Sequence, residues 1–186
     1  MVNTFKYDFM DDVKRIKENS DIVIVYPHWG VEYTHLPNDR QRELKDKLFE
    51  AGADVILGSH SHVLQSSEDF EINGERKFVI YSMGNALSNQ RQEFVHHEGV
   101  ETGCMVKLNI LKNNDTNKTT LKDIKLIPTY VNRYWDSGRL IYNIVKLEDY
   151  KDGGKLAETV DAKTKEFYLN KLNMANEVLK GGEDGV

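Results

Sequence analysis

Two runs of β-branched residues, each ending in a histidine-bearing turn, constrain this chain more than anything else in it. Residues 21–26 read Asp-Ile-Val-Ile-Val-Tyr and stop at Pro27-His28-Trp29-Gly30. Residues 53–57 read Ala-Asp-Val-Ile-Leu and stop at Gly58-Ser59-His60-Ser61-His62. Continuous apolar runs of this kind suit strands buried on both faces. Between them, Asn38 follows Pro37 as an N-cap, Leu44, Leu48 and Ala51 recur at helical spacing, and Gly52 is a natural stop. Strand, helix, strand predicts parallel strands joined by a right-handed crossover. Both histidine turns then lie beyond the carboxyl ends of neighbouring strands, where open α/β sheets bind ligands.

The rest of the chain is built around this unit. Residues 8–19 read as an amphipathic helix with Phe9, Val13 and Ile16 on one face. Residues 69–72 and 76–82 flank Asn73-Gly74, a strong hairpin signal. Residues 87–99 have no clear period and read as a loop. Residues 102–111 and 121–131 read as long strands joined by the polar segment 112–119, with a further strand at 140–145. Tyr134 and Trp135 precede a turn at 136–138 and read as rim packing rather than a stacking platform. Residues 161–180 form a terminal helix with Tyr168, Leu172, Ala175 and Leu179 on one face, and 181–186 form a frayed tail. There are no repeats and no obvious linker, so residues 1–186 read as a single domain.

Composition narrows the function classes. Hydrophobic residues make up 39% and charged residues 30%, a globular balance. A net charge of −5 lacks the basic footprint of a general nucleic-acid binder, so no nucleic acid is expected as partner. The single cysteine, Cys104, excludes an internal disulfide and sits in a partly alternating strand, which predicts a packed thiol. No apolar run reaches the roughly 18 residues of a membrane span, and residues 1–8 have no signal-peptide core, so a soluble chain is expected.

The histidines carry the chemistry. Taken alone, His60-Ser61-His62 is a polar turn with solvated imidazoles. His28 changes that reading, because the crossover brings it near the pair, and imidazole is the commonest neutral ligand of transition metals. The alternative is a core histidine stacked on Trp29. Glu32 either orients His28, binds substrate or is a loop charge. Asn85 either bonds a ligand or shapes the turn after Gly84. His35 and the pair His96-His97 read as incidental loop residues, and the charge-rich stretch 39–47 reads as the solvated face of its helix.

These residues also carry a resemblance. His28-Trp29-Gly30-Val31-Glu32-Tyr33, then Pro37 and Gln41, then residues 51–65 (Ala-Gly-Ala-Asp-Val-Ile-Leu-Gly-Ser-His-Ser-His-Val-Leu-Gln), then Ile80-Tyr81-Ser82-Met83-Gly84-Asn85, resemble the CapA/PgsA family of capsule-synthesis, or poly-γ-glutamate biosynthesis, proteins. The resemblance covers residues 20–112; residues 113–186 add nothing to it. It implies a fold similar to calcineurin-like metallophosphoesterases: an α/β protein, half of a four-layer α/β/β/α sandwich with mixed sheets and a C-terminal helix. It implies divalent metal ions (Mn, Zn or Fe) as cofactors. His28 and His60 would hold one metal, as the catalytic pair, and His62 the other, with Glu32 and Asn85 touching substrate or supporting the ligands. Two departures stand out. Ser61 replaces the usual proline between the histidines, and Ala86 replaces a phenylalanine, which removes an aromatic wall.

A two-metal hydrolytic site also needs carboxylates. In the family these come from the N-terminal half, and nothing before Asp21 matches them. The chain is therefore read as the C-terminal half of the fold, a cleaved half or split-gene product. Its partner would be an N-terminal half, or a second copy in a homo-oligomer, with the capsule or poly-γ-glutamate machinery beyond. A half-fold would leave its first strand as an exposed apolar edge. The family implies the outer face of the cell envelope. Three functions compete: a metal-dependent phosphoesterase-like hydrolase incomplete as a lone chain, a non-catalytic accessory or polymer-binding subunit, and an interaction domain with incidental histidines.

Overall fold

The computed structural model describes residues 9–181. Asp8 and the tail beyond Gly181 lie outside them. The first helix, α1 (Met10–Glu18), buries Val13, while Ile16 points outward at 48% exposure. Lys17 takes the inward role expected of Ile16. Its aliphatic stem covers Gly52, where an added Cβ would meet Lys17 Cγ at 2.8 Å, and its ammonium reaches Asp54.

The strand–helix–strand unit forms as a parallel pair. β1 (Ile24–Val25) lies beside β2 (Val55–Leu57), with Ile24 opposite Val55 and Val25 opposite Ile56. The crossover helix is α2 (Asp39–Glu50). Its cap is reciprocal: Asn38 Oδ1 accepts from the Gln41 N–H, and Gln41 Oε1 accepts from the Asn38 N–H. The charge-rich face of this helix is not wholly solvated, because Gln41 is buried within it.

β3 (Ser67–Ile72) and β4 (Glu75–Ile80) make the expected hairpin, with Asn73 and Gly74 both at positive φ (53° and 77°) as a type I′ turn needs. β4 also runs parallel to β2, so the sheet is mixed, in the order β1-β2-β4-β3. β1 is thus an edge. Only two residues pair, and Ile24 and Tyr26 are 45% and 62% exposed, not buried on both faces as the apolar run predicts. The reason is positional: an edge strand has one neighbour, and among the described residues nothing covers its outer face.

Residues 87–99 contain a short helix, α3 (Gln92–Val95), closed by His96 in the left-handed region. The second sheet is an antiparallel meander of β5 (Thr102–Asn113), β6 (Lys118–Asp136) and β7 (Arg139–Lys146). The polar segment predicted between β5 and β6 shrinks to a tight turn, because Asn113 Oδ1 accepts from the N–H groups of Asp115 and Thr116 and Asn117 adopts positive φ. At the other end β6 and β7 project beyond the core. Trp135 and Tyr134 are 70% and 47% exposed there, not packed at a rim. A 3₁₀ turn (Leu147–Tyr150) leads to α4 (Ala162–Lys180), capped by Asp161, with Tyr168, Leu172, Ala175 and Leu179 buried as expected. No helix among the described residues is long and apolar enough to cross a membrane.

Strand alternation sorts the core into two sides. Ile56, Val79 and Tyr81 face Val13, Leu48 and Phe49 of α1 and α2. Val55, Phe78 and Ile80 face Cys104 and Leu121 of the second sheet and Ala175 and Leu179 of α4. The protein is therefore a mixed α/β fold with two sheets and a C-terminal helix. Burial pushes the Cys104 thiol up to about 11, in keeping with a packed residue.

One buried carboxylate ties the first sheet together. Asp54 accepts from Lys17 (2.8 Å), Lys77 (2.8 Å) and the Val23 N–H (2.7 Å). Burial opposes its ionisation, but those three hydrogen bonds outweigh it and hold its carboxyl below the ordinary range. Its contribution is therefore present above the unfolded value near 3.9 and is lost as pH falls through the folded one. Asp54→Asn leaves the buried Lys77 with only the exposed Glu75 as counter-charge and should cost about 3 kcal/mol, read by urea unfolding at neutral pH. The variant should also lose part of the wild-type decline in stability below about pH 4.

Candidate functional site

Backbone pairing does not stop where β1 and β2 stop. His28 and Ser59 form a further parallel bridge, the Trp29 N–H donates to Ser59 O (3.0 Å), and the Ser59 N–H donates to Pro27 O (3.0 Å). The turn that carries His60 and His62 is thereby fastened to the one that carries His28. Gly58 makes this possible. Its N–H donates to Ile80 O and its C=O accepts from the Met83 N–H. A Cβ there would stand 2.0 Å from Tyr81 O and 2.6 Å from Trp29 Nε1, so only glycine fits.

Trp29 lies in the core at 8% exposure, its Nε1 donating to Tyr81 O at 2.8 Å. The His28 ring lies against that of His60, with centroids 4.4 Å apart. His60 and His62 have centroids 6.3 Å apart. His60 thus has both His28 and His62 as ring neighbours at one sheet end. Two of them sit on backbone that L-residues rarely adopt: His60 at φ 110° and His62 at φ 59°. Such conformations cost on the order of 1–3 kcal/mol each and persist only where the surroundings hold them. Here the buried Ser61 hydroxyl donates to Val63 O (2.7 Å), and Ser61 O accepts from the Tyr33 N–H (2.7 Å).

Asn85 sets the chemistry of His62. Its amide Nδ2, with two hydrogens, faces three acceptors: His62 O (3.2 Å), Gln90 Oε1 (3.0 Å) and Val100 O (2.9 Å). Its Oδ1 is therefore the atom that faces His62 Nδ1 at 2.9 Å, and it can only accept. His62 Nδ1 is therefore the donor, and in the neutral ring the lone pair is on Nε2. Of the two readings of Asn85, ligand bonding or turn shaping, the structure adds a third: it orients a histidine. Glu32 lies against His62 rather than His28, with Oε1 4.0 Å from Nε2. Burial, helped by the neighbouring His28 and His62, pulls the His60 pKa below its ordinary value against the opposing charge of Glu32, so its ring favours the neutral, metal-ligating form.

Other participants were not singled out from the sequence. Tyr33, at φ 60°, lies between His62 (centroids 5.9 Å) and His97 (4.4 Å, interplanar 5°), and its hydroxyl accepts from Gln90 Nε2 (3.3 Å). His97 is thus packed on the site's outer wall rather than incidental. His35 Nδ1 lies 2.9 Å from Leu64 O. Gln65, fully buried, accepts from Gln41 Nε2 (2.8 Å) and donates to Thr34 O (2.7 Å), which pins the loop carrying Glu32 and Tyr33. Buried glutamines in a strand-end turn and a helix cap were the available signal.

As a metal centre, this donor set is partial. Among the described residues no group of three or more histidine, cysteine, aspartate or glutamate side chains is arranged to hold an ion. The orientation of His62 is open to direct test. Long-range ¹H–¹⁵N spectra at about pH 8 should find His62 in the Nδ1–H tautomer. Asn85→Ala should mix the tautomers and cost about 1–2 kcal/mol in unfolding free energy.

Comparison with known proteins agrees with the motifs. Residues 2–90 match the family model described as bacterial capsule synthesis protein PGA_cap. This match starts ahead of residue 20 and ends short of 112, the limits set by the motifs. The PGA biosynthesis protein CapA of Bacillus subtilis (strain 168) is 44% identical over 82 residues, which is 44% of this chain and 20% of that protein. The capsule biosynthesis protein CapA of Bacillus anthracis is 42% identical over 74 residues, 40% of this chain and 17% of that protein. The aligned segment spans a fifth or less of these relatives. Residues 2–90, which carry His28, His60, His62, Glu32 and Asn85, are thus the part of the chain that is similar to the bacterial capsule synthesis proteins.

Proposed function

We propose that this chain serves capsule or poly-γ-glutamate biosynthesis and supplies the histidine side of a divalent-metal site whose acidic side comes from another polypeptide segment. The observation that carries the reading is the 2.9 Å contact from Asn85 Oδ1 to His62 Nδ1, which in the neutral ring leaves the lone pair on Nε2. His28 and His60 would serve one ion and His62 a second, with Glu32 beside the ligands. When bound, such ions would supply Lewis-acid activation of a phosphoester. The chain's own residues do the rest: Asn85 fixes a ligand ring, the Tyr33–His97 stack walls the outer side, and Gly58 locks the two turns together. The exposed edge of β1 supports an added N-terminal half, and the relatives' names support a place at the cell envelope.

A second reading has its own support. Because the described residues complete no metal group, a non-catalytic accessory subunit that binds polymer is the rival.

Metal titration separates the two. Mn²⁺ or Zn²⁺ at about 100 times its Kd should stabilise the chain by about 2.7 kcal/mol, seen as a rise in thermal midpoint. His60→Ala should abolish that rise. Hydrolysis of a phosphodiester such as bis-p-nitrophenyl phosphate is expected only when the acidic segment is added. Metal binding without hydrolysis in that pair would favour the accessory role, and an unchanged midpoint would remove the metal reading.

A further inference from the structure

A second cleft, of about 830 Å³, opens between α3 and the end of the β6–β7 hairpin, with none of His28, His60, His62, Glu32 or Asn85 in its lining. That volume falls within the range of small-molecule sites. One side is aromatic. Trp135 and Tyr134 both line the cleft and are exposed, but as neighbours on β6 they point to opposite faces, so Trp135 is the ring that shares a face with Arg133 and Leu140. Exposed aromatic surface of this size forgoes a large burial gain, which marks a surface that meets something. The platform is held rather than dangling. The tight turn at Ser137 (φ 48°) and Gly138 (φ 78°) fixes Trp135 opposite Leu140, and the Tyr142 hydroxyl donates to Asn89 Oδ1 (2.7 Å) in the segment before α3.

The other side is polar and charge-balanced. Arg133 Nη1 donates to Glu93 Oε1 at 2.8 Å, and its guanidinium lies 5.1 Å from the Phe94 ring centre. Arg91 Nε lies 3.8 Å from Glu101 Oε1, and its Nη1 donates to Val131 O at 2.5 Å. Each guanidinium has five N–H donors and each carboxylate about four acceptor positions, so these pairs keep unused hydrogen-bonding capacity. Their charges cancel, so the cleft has no net field to draw a polyanion. A flat ring beside paired, planar donors and acceptors matches one ligand chemistry: a neutral ring with apolar faces and a rim of hydroxyls.

We propose that this cleft binds a neutral pyranose oligosaccharide, with Trp135 stacking on a sugar face and Arg91, Glu93, Glu101 and Arg133 bonding the hydroxyls. The proposal does not depend on the histidine site. The chain reports on it directly, because its other tryptophan, Trp29, is in the core. Intrinsic fluorescence would be titrated with a β-1,4-linked glucose hexasaccharide, an N-acetylglucosamine hexasaccharide and, separately, poly-γ-glutamate. A saturable change with either hexasaccharide, below about 10 mM, supports the site, and the stronger arm identifies the glycan type. Followed by titration calorimetry, because the substitution removes the fluorophore, Trp135→Ala should weaken binding at least about tenfold with the thermal midpoint unchanged, Trp135→Phe should restore most of it, and His60→Ala should leave it intact. No change with either sugar overturns the proposal. So does a salt-sensitive response to poly-γ-glutamate alone, which would mean a polyanion site.

Discussion

The extension of the β1–β2 ladder past the strand ends is the constraint on which the rest of the site depends. Two short parallel strands would by themselves leave their following turns free. The His28–Ser59 bridge, with its two backbone hydrogen bonds, removes that freedom. Gly58 lets the Tyr81 carbonyl and the Trp29 indole come close enough for this to happen. A side chain there would push the turns apart, and the His28–His60 approach would go with it.

Around that ladder, buried polar groups do what apolar packing cannot, because hydrogen bonds specify direction as well as proximity. Asp54 joins α1, the approach to β1 and β4 through one carboxylate. Gln41 and Gln65 carry a similar link from the α2 cap to the loop bearing Glu32 and Tyr33. Asn85 turns its amide nitrogen toward three acceptors and so leaves its oxygen no choice about His62. The strained φ values of His60 and His62 are affordable because these networks surround them.

The segment between β4 and β5 divides the molecule's two candidate sites. Gln90 reaches back to Asn85 and Tyr33, on the histidine side. Arg91 and Glu93, its neighbours, line the aromatic cleft. A stretch without sequence periodicity thus acts as a wall with two working faces, as loops on a rigid scaffold commonly do.

Much of this was legible in the sequence. The β-branched runs, the Asn38 cap, the Asn73-Gly74 hairpin and the stripe of Tyr168, Leu172, Ala175 and Leu179 depend on neighbours a few residues away, and local pattern determines them. The closeness of the three histidines also followed, because a βαβ crossover has one hand. What only the tertiary structure decided lies across longer separations. Asn85 bonds a ring 23 positions away, Asp54 a lysine 37 positions away, and Trp29 a carbonyl 52 positions away. The exposure of Ile24 and Trp135 belongs to the same class. An apolar residue declares that it can be buried, but whether a neighbouring element arrives to cover it is settled by packing, which no local pattern contains.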